Sequence, residues 1–176
     1  MRVAGRMVDS QTMAPPVAVI DALNSLLEAE LGSVFRFMGE GSPYLSRASA
    51  DVRRPLQQMV DGNHRYVMAL AEMIQRLGGE PVSRPVRPEE QYLAFLSLKF
   101  LLPKLVDEKV LILQRYDNAL RRIRGEAPAE VIELLERHQE ECRSQLEQLK
   151  KASEDVIAAS RAEAPRRGGA AGKAAR

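Results

Sequence analysis

Apolar positions recur every three or four residues through most of the chain, and no run alternates as a half-buried strand would. The first stripe, Ile20, Leu23, Leu27, Glu30, Val34 and Phe37, predicts a helix over 17–38 behind the Pro15 and Pro16 pair. Gly39, Gly41 and Pro43 then mark a loop. Asp51 is placed to cap a second helix running to Leu77, with Pro55 tolerated near its first turn and Gly78 and Gly79 closing it. Its stripe is Leu56, Met59, Asn63, Tyr66, Leu70, Met73 and Leu77. A proline-rich connector, GGEPVSRPVRP, comes next; Pro88 opens a further helical stretch that Pro103 is expected to kink or restart. The third main helix continues through Leu105, Glu108, Ile112, Arg115 and Ala119 and closes at Gly125. Pro128 opens a fourth, to Ala159, with the stripe Leu135, Gln139, Cys142, Leu146 and Leu149.

Four long amphipathic helices in one chain of this size predict an all-α fold, an antiparallel four-helix bundle. The segment between helices one and two is short enough for a hairpin. The one between two and three is longer, and about ten extended residues at ~3.3 Å each can run the length of a bundle. One long, partly helical crossover between helices two and three is the connectivity of ferritin-like folds. The expected organisation is a flexible N-terminus over 1–15, the bundle over 16–160, and a disordered basic tail over 161–176.

Composition narrows the setting. The chain has 176 residues and nearly balanced charge, 26 Lys and Arg against 24 Asp and Glu, so overall charge selects no partner. The tail is the exception, with five basic residues and one Glu, and contact with nucleic acid is one reading of it; a solubilising role is the other. The single cysteine excludes an intrachain disulfide framework and suits a reducing, cytoplasmic compartment. Residues 92–106 form the most apolar window, but Lys99, Pro103 and Lys104 interrupt it, and a bilayer needs about 20 apolar residues; no membrane association is expected. Aromatic residues are few and tryptophan is absent, which argues against a base-stacking surface.

Each stripe is apolar except at one level. Helix one offers Glu30 there, helix two Asn63 and Tyr66, helix three Glu108, helix four Gln139 and Cys142. Residues three apart share a helix face. One acid from each of two helices and an i, i+3 pair from each of the other two is the layout of a di-iron carboxylate site. The ligand chemistry is different: Asn and Gln are neutral oxygen donors, a protonated Tyr is a poor ligand, and a thiolate prefers softer metals such as zinc. The six residues then form either a hydrogen-bonded polar layer or a reduced metal site.

These stretches resemble the bacterioferritins and their relatives. LNSLLEAELGSVFRF is similar to their first helix, with Glu30 at the ligand position, and LVDEKVLILQRYDNAL to their third, with Glu108 at its ligand. NHRYVMALAEMIQRLGGEP resembles the second helix and QEECRSQLEQL the fourth; Asn63 with Tyr66, and Gln139 with Cys142, stand where the family carries Glu-x-x-His. The resemblance spans about 23–149. It implies a ferritin-like fold and a homodimer or larger homo-oligomer. With both Glu-x-x-His pairs replaced, the expected function is a non-ferroxidase structural, binding or assembly module rather than an enzyme. One alternative is an atypical iron-binding or iron-storage protein using Glu30 and Glu108. Another follows from His64, which matches the position of the family's haem-ligating Met at a two-fold dimer axis and could serve haem or zinc there. Both histidines, His64 and His138, are expected to face outward, and Gly62 inside helix two marks a close approach to another helix.

Overall fold

The computed structural model describes residues 17–39, 50–83, 92 and 96–163. The predicted N-terminal segment, part of the helical stretch expected after Pro88, and the tail from residue 164 lie outside them. Helices α1 (Val17–Leu31), α2 (Val34–Gly39), α3 (Ala50–Arg76), α4 (Leu98–Ile123) and α5 (Ala129–Glu163) make up the described chain, with no strand among the described residues. No helix there is long and apolar enough to cross a membrane.

The single first helix expected over 17–38 is in fact two. Gly32 and Ser33 interrupt it, and the backbone N–H of Ser33 bonds to the Glu30 carbonyl at 3.2 Å rather than continuing the α-helical ladder. Ser33 caps α2, its hydroxyl accepting from the Phe35 N–H at 3.3 Å. A carboxylate from another helix completes the break, because Glu108 Oε1 accepts the Val34 N–H at 2.9 Å. Three further boundaries move. Helix α3 starts at Ala50, so Asp51 lies inside its first turn instead of capping it. Helix α4 begins at Leu98 and runs through Pro103 without restarting. Helix α5 continues to Glu163, past the end expected at Ala159 and into the segment assigned to the tail. The end of α3 is as the sequence suggests. Gly78 adopts φ +78°, and the N–H groups of Gly78 and Gly79 bond back to Gln75 and Ile74, each at 2.9 Å, in a Schellman turn.

The four long helices form a ring in which α1 packs on α3, α3 on α5, α5 on α4 and α4 on α1. Every neighbouring pair is antiparallel. Asn24 of α1 meets Glu80 beyond the end of α3, Arg76 pairs with Glu130 at the start of α5, and Arg124 after α4 pairs with Glu136. Helices α3 and α4 therefore run parallel across a diagonal, and the chain must return the length of the bundle between Arg76 and Leu98. The start of that return is pinned to α1 by one side chain: the Asn24 amide donates to the Glu80 carbonyl at 3.0 Å and accepts the Val82 N–H at 2.9 Å.

The core is divided. One apolar cluster gathers Leu23, Leu27, Leu70, Ile74, Ile112, Ile123 and Leu135 with their neighbours; a second gathers Phe35, Met38, Leu56, Met59, Leu101, Leu105 and Leu149. Between them, on every helix of the ring, the buried residue is polar: Glu30, Asn63, Lys109 and Gln145, with Ser33 at the break. Lys109 lies a turn from Leu105 and Ile112 along its own helix, and Glu30 lies a turn from Leu27 and, across the break, from Val34.

Candidate functional site

Glu30 is the centre of this layer. It sits in the last turn of α1, fully buried, because the apolar stripe of that helix carries it inward. Asn63 of α3 donates to Glu30 Oε2 at 2.7 Å and to the Glu30 carbonyl at 3.1 Å, so one amide secures both the carboxylate and the end of the helix. Tyr116 of α4 donates its hydroxyl to Oε1 at 3.1 Å. Both carboxylate oxygens thus have a donor. Charge-assisted bonds of this kind are the strong class of hydrogen bond.

The six residues singled out in the sequence fare differently. Glu30, Asn63, Tyr66 and Cys142 are buried within the bundle. Glu108 is half-buried and turned to the start of α2; its Oε2 has no hydrogen-bond partner among the described residues. Burial raises its carboxyl above the ordinary range, with Ser33, the Val34 N–H and Lys109 opposing that shift. Gln139 is buried as well, with its amide donating to Asp117 of α4.

Four buried residues of this region were not expected. His138, assigned to the outer face, is 5% exposed and packs 4.3 Å from the Tyr66 ring, with Nδ1 3.5 Å from the Tyr116 hydroxyl. The inward face of α5 thus includes His138, Cys142 and Gln145. On α4 the inward stripe is Leu105, Lys109, Ile112 and Tyr116, one residue on from the expected Glu108 and Arg115. Lys109 is fully buried, with Nζ 4.7 Å from the Phe35 ring centroid and 6.0 Å from that of Tyr66. The signal for Tyr116 was available, since a phenol fits a bundle interior better than Arg115 does. For Lys109 there was none, because lysine is the residue least expected there.

Burial sets the proton inventory. It drives the Tyr66 and Tyr116 hydroxyls well above the ordinary phenol range, helped at Tyr66 by Cys142 and Glu141 and at Tyr116 by Glu30. It pushes the Cys142 thiol up to about 12 against a small opposing pull from Lys109. It lowers His138 to about 4, with Arg137 and Arg65 adding in the same direction. At neutral pH the layer therefore has two phenols, a thiol and an uncharged imidazole, and no phenolate or thiolate. Among the described residues no three His, Cys, Asp or Glu side chains are grouped to hold a metal ion.

His64 lies on the exposed outer face of α3, beside a groove of about 710 Å³ that Leu31, Arg36 and Asp61 also line. Gly62, one turn from Tyr66, faces α5: a Cβ there would stand 3.0 Å from Gln145 Nε2, so the expected close approach is to a helix of the same chain.

The fold as a whole matches two solved structures. The bacterioferritin of Desulfovibrio desulfuricans, a protein with a diiron site seen in different catalytic states, superposes with a TM-score of 0.64 at 20% identity, over 91% of this chain and 95% of that one. The fold is ferritin-like. A ferritin-like diiron-carboxylate protein from Bacillus anthracis agrees, with a TM-score of 0.61 at 18% identity over 77% of this chain and 94% of that one. Neither a family model nor a curated protein matches the sequence. At these identities the ferritin-like likeness is one of fold, and the chemistry has to be argued from this chain's own side chains.

Proposed function

We propose that this ferritin-like chain has a hydrogen-bonded layer of its own side chains where its structural neighbours hold two iron ions, and that it works as a non-ferroxidase structural, binding or assembly module. The observation that carries the reading is the saturation of Glu30: Asn63 and Tyr116 occupy both carboxylate oxygens from two other helices. The rest of the donor set points the same way. A paired-iron centre needs several anionic oxygens and neutral imidazoles, whereas here the second acid, Glu108, gives one oxygen to the Val34 N–H. The only buried imidazole, among the described residues, faces two tyrosines. The thiol and both phenols keep their protons at neutral pH. Two ferrous ions would bring four positive charges to a layer that already contains a lysine. The residues present do not fit the metal pair, and no reaction step is assigned to it.

Anaerobic titration with Fe(II), followed by admission of air, tests the reading. The expected result is no saturable binding and no ferric charge-transfer absorption. Stoichiometric uptake that disappears in Glu30→Ala would overturn it.

A further inference from the structure

Lys109 has no place in an account of the layer built on hydrogen bonds alone. Its side chain is fully buried, and Nζ has no hydrogen-bond partner among the described residues. The aromatic faces of Phe35 at 4.7 Å and Tyr66 at 6.0 Å seat an ammonium through cation–π attraction, but two such contacts do not replace its hydration. A charge left in that position needs an opposite charge within reach of a low-dielectric path. The groups around it are few. Helix α4 itself brings Glu108, whose carboxyl Lys109 draws down, and α1 brings Glu30, which acts on the same Tyr66 and Cys142 that Lys109 faces; Tyr66 of α3 and Cys142 of α5 both hold their protons. Glu141, also from α5, is drawn outward to Arg65 at 2.8 Å.

Resting on the reading above, the geometry points to Lys109 as the resident cation of this core: its ammonium, seated against Phe35 and Tyr66, offsets part of the negative charge of the Glu30 and Glu108 carboxylates and so takes some of the charge-neutralising part that a metal ion would otherwise play. The consequence is an interior whose negative charge is partly offset by the chain itself. A divalent cation entering the layer would have to displace or deprotonate a fixed ammonium as well as break the hydrogen bonds to Glu30. The same arrangement explains how the bundle keeps Glu30 at its centre and Glu108 at the edge of the layer.

A double-mutant cycle between Lys109→Met and Glu30→Gln, read by urea unfolding of the full chain at pH 7, tests the charge coupling. Removing one partner of a buried ionic set strands the other, so Lys109→Met alone is expected to lower the folding equilibrium constant by at least ~100-fold, and by less than ~10-fold when Glu30→Gln is already present. Folding of Lys109→Met only in the Glu30→Gln background is the same result in stronger form. An equal loss in both backgrounds, or failure to fold in both, overturns the proposal. A second measurement needs no destabilised variant. In protein with isotope-labelled lysine, the side-chain nitrogen resonance that vanishes in Lys109→Arg should have the shift of an ammonium at pH 7; a neutral-amine shift overturns the assignment. Iron uptake by the native chain would sink the functional reading and leave this cycle untouched, whereas a null cycle would remove the role of Lys109 and leave the iron titration as it stands.

Discussion

The cluster around Leu23, Leu70 and Ile123 and the layer around Glu30 adjoin in the same bundle, yet they are held by different forces. In the cluster, wholly buried aliphatic side chains from four helices are interchangeable in kind, and what matters is the volume they fill. In the layer each contact has a named donor and acceptor, so a change of one atom type is felt even when shape is kept. The cluster supplies most of the stabilisation. The layer sets which residue stands opposite which, because sliding any helix by one turn would pair Glu30 or Lys109 with an aliphatic neighbour.

The sharpest way to separate the two regions is to remove volume from the first. Leu70→Ala, at a position with no solvent exposure, should cost about 2–5 kcal/mol by urea unfolding, and the loss should be the same at pH 5 as at pH 7. A loss that changed with pH would mean that the cluster is electrostatically tied to the layer, and the contrast would fail.

Next in size is the pH response of His138, which borders both regions. Its folded value of about 4 lies below the ordinary 6.5. Between those two values the unfolded chain binds a proton that the folded chain refuses, so stability falls as the pH is lowered through that window, by up to about 3 kcal/mol in all. Glu108 acts with the opposite sign. Its raised folded value means that the folded state takes up a proton first as pH falls, which adds stability over an overlapping range. The difference between the native chain and His138→Phe isolates the imidazole: the native curve should drop relative to the variant between pH 6.5 and 4. Parallel curves would remove His138 from the account of the layer.

How far this division could be read in the sequence depends on the helix. On α1 and α3 the polar residue interrupts an otherwise clean apolar stripe, so Glu30, Asn63 and Tyr66 stand out and all three are buried. On α4 and α5 two adjacent residues compete at the critical turn, Glu108 with Lys109 and His138 with Gln139. A period of 3.6 does not choose between neighbours, and chemistry chose the acid over the lysine. The ring of four helices and its diagonal return were legible because they follow from stripe length and connector length. The break at Gly32 and Ser33 was not, since the cap that completes it comes from Glu108, 74 residues further along the chain from Val34.

Asn63→Leu tests the layer with volume nearly kept. It removes both amide bonds to Glu30 while adding apolar area, and it should cost about 2 kcal/mol at pH 7. A stabilised variant would show that the layer is tolerated rather than required. The loss should shrink in Glu30→Gln, because a neutral partner has less need of the missing donor.

The smallest effect is the most discriminating, because two contributions of similar size oppose each other. Gly62→Ala gains up to about 1 kcal/mol of helix propensity in the middle of α3. Against it, the new Cβ arrives 3.0 Å from Gln145 Nε2 and 3.5 Å from Glu141 Oε1. The first of those atoms is the end of a flexible side chain, but a buried one, whose amide makes only long contacts with Tyr66 at 3.4 Å and Glu141 at 3.5 Å. An amide held this loosely moves at little cost, while the apolar cluster on either side does not change. The expected net change is therefore within about 1 kcal/mol of zero. If the loss instead reaches that of Leu70→Ala, Gln145 is fixed as firmly as an aliphatic core residue, and the layer is rigid by packing as well as by its hydrogen bonds.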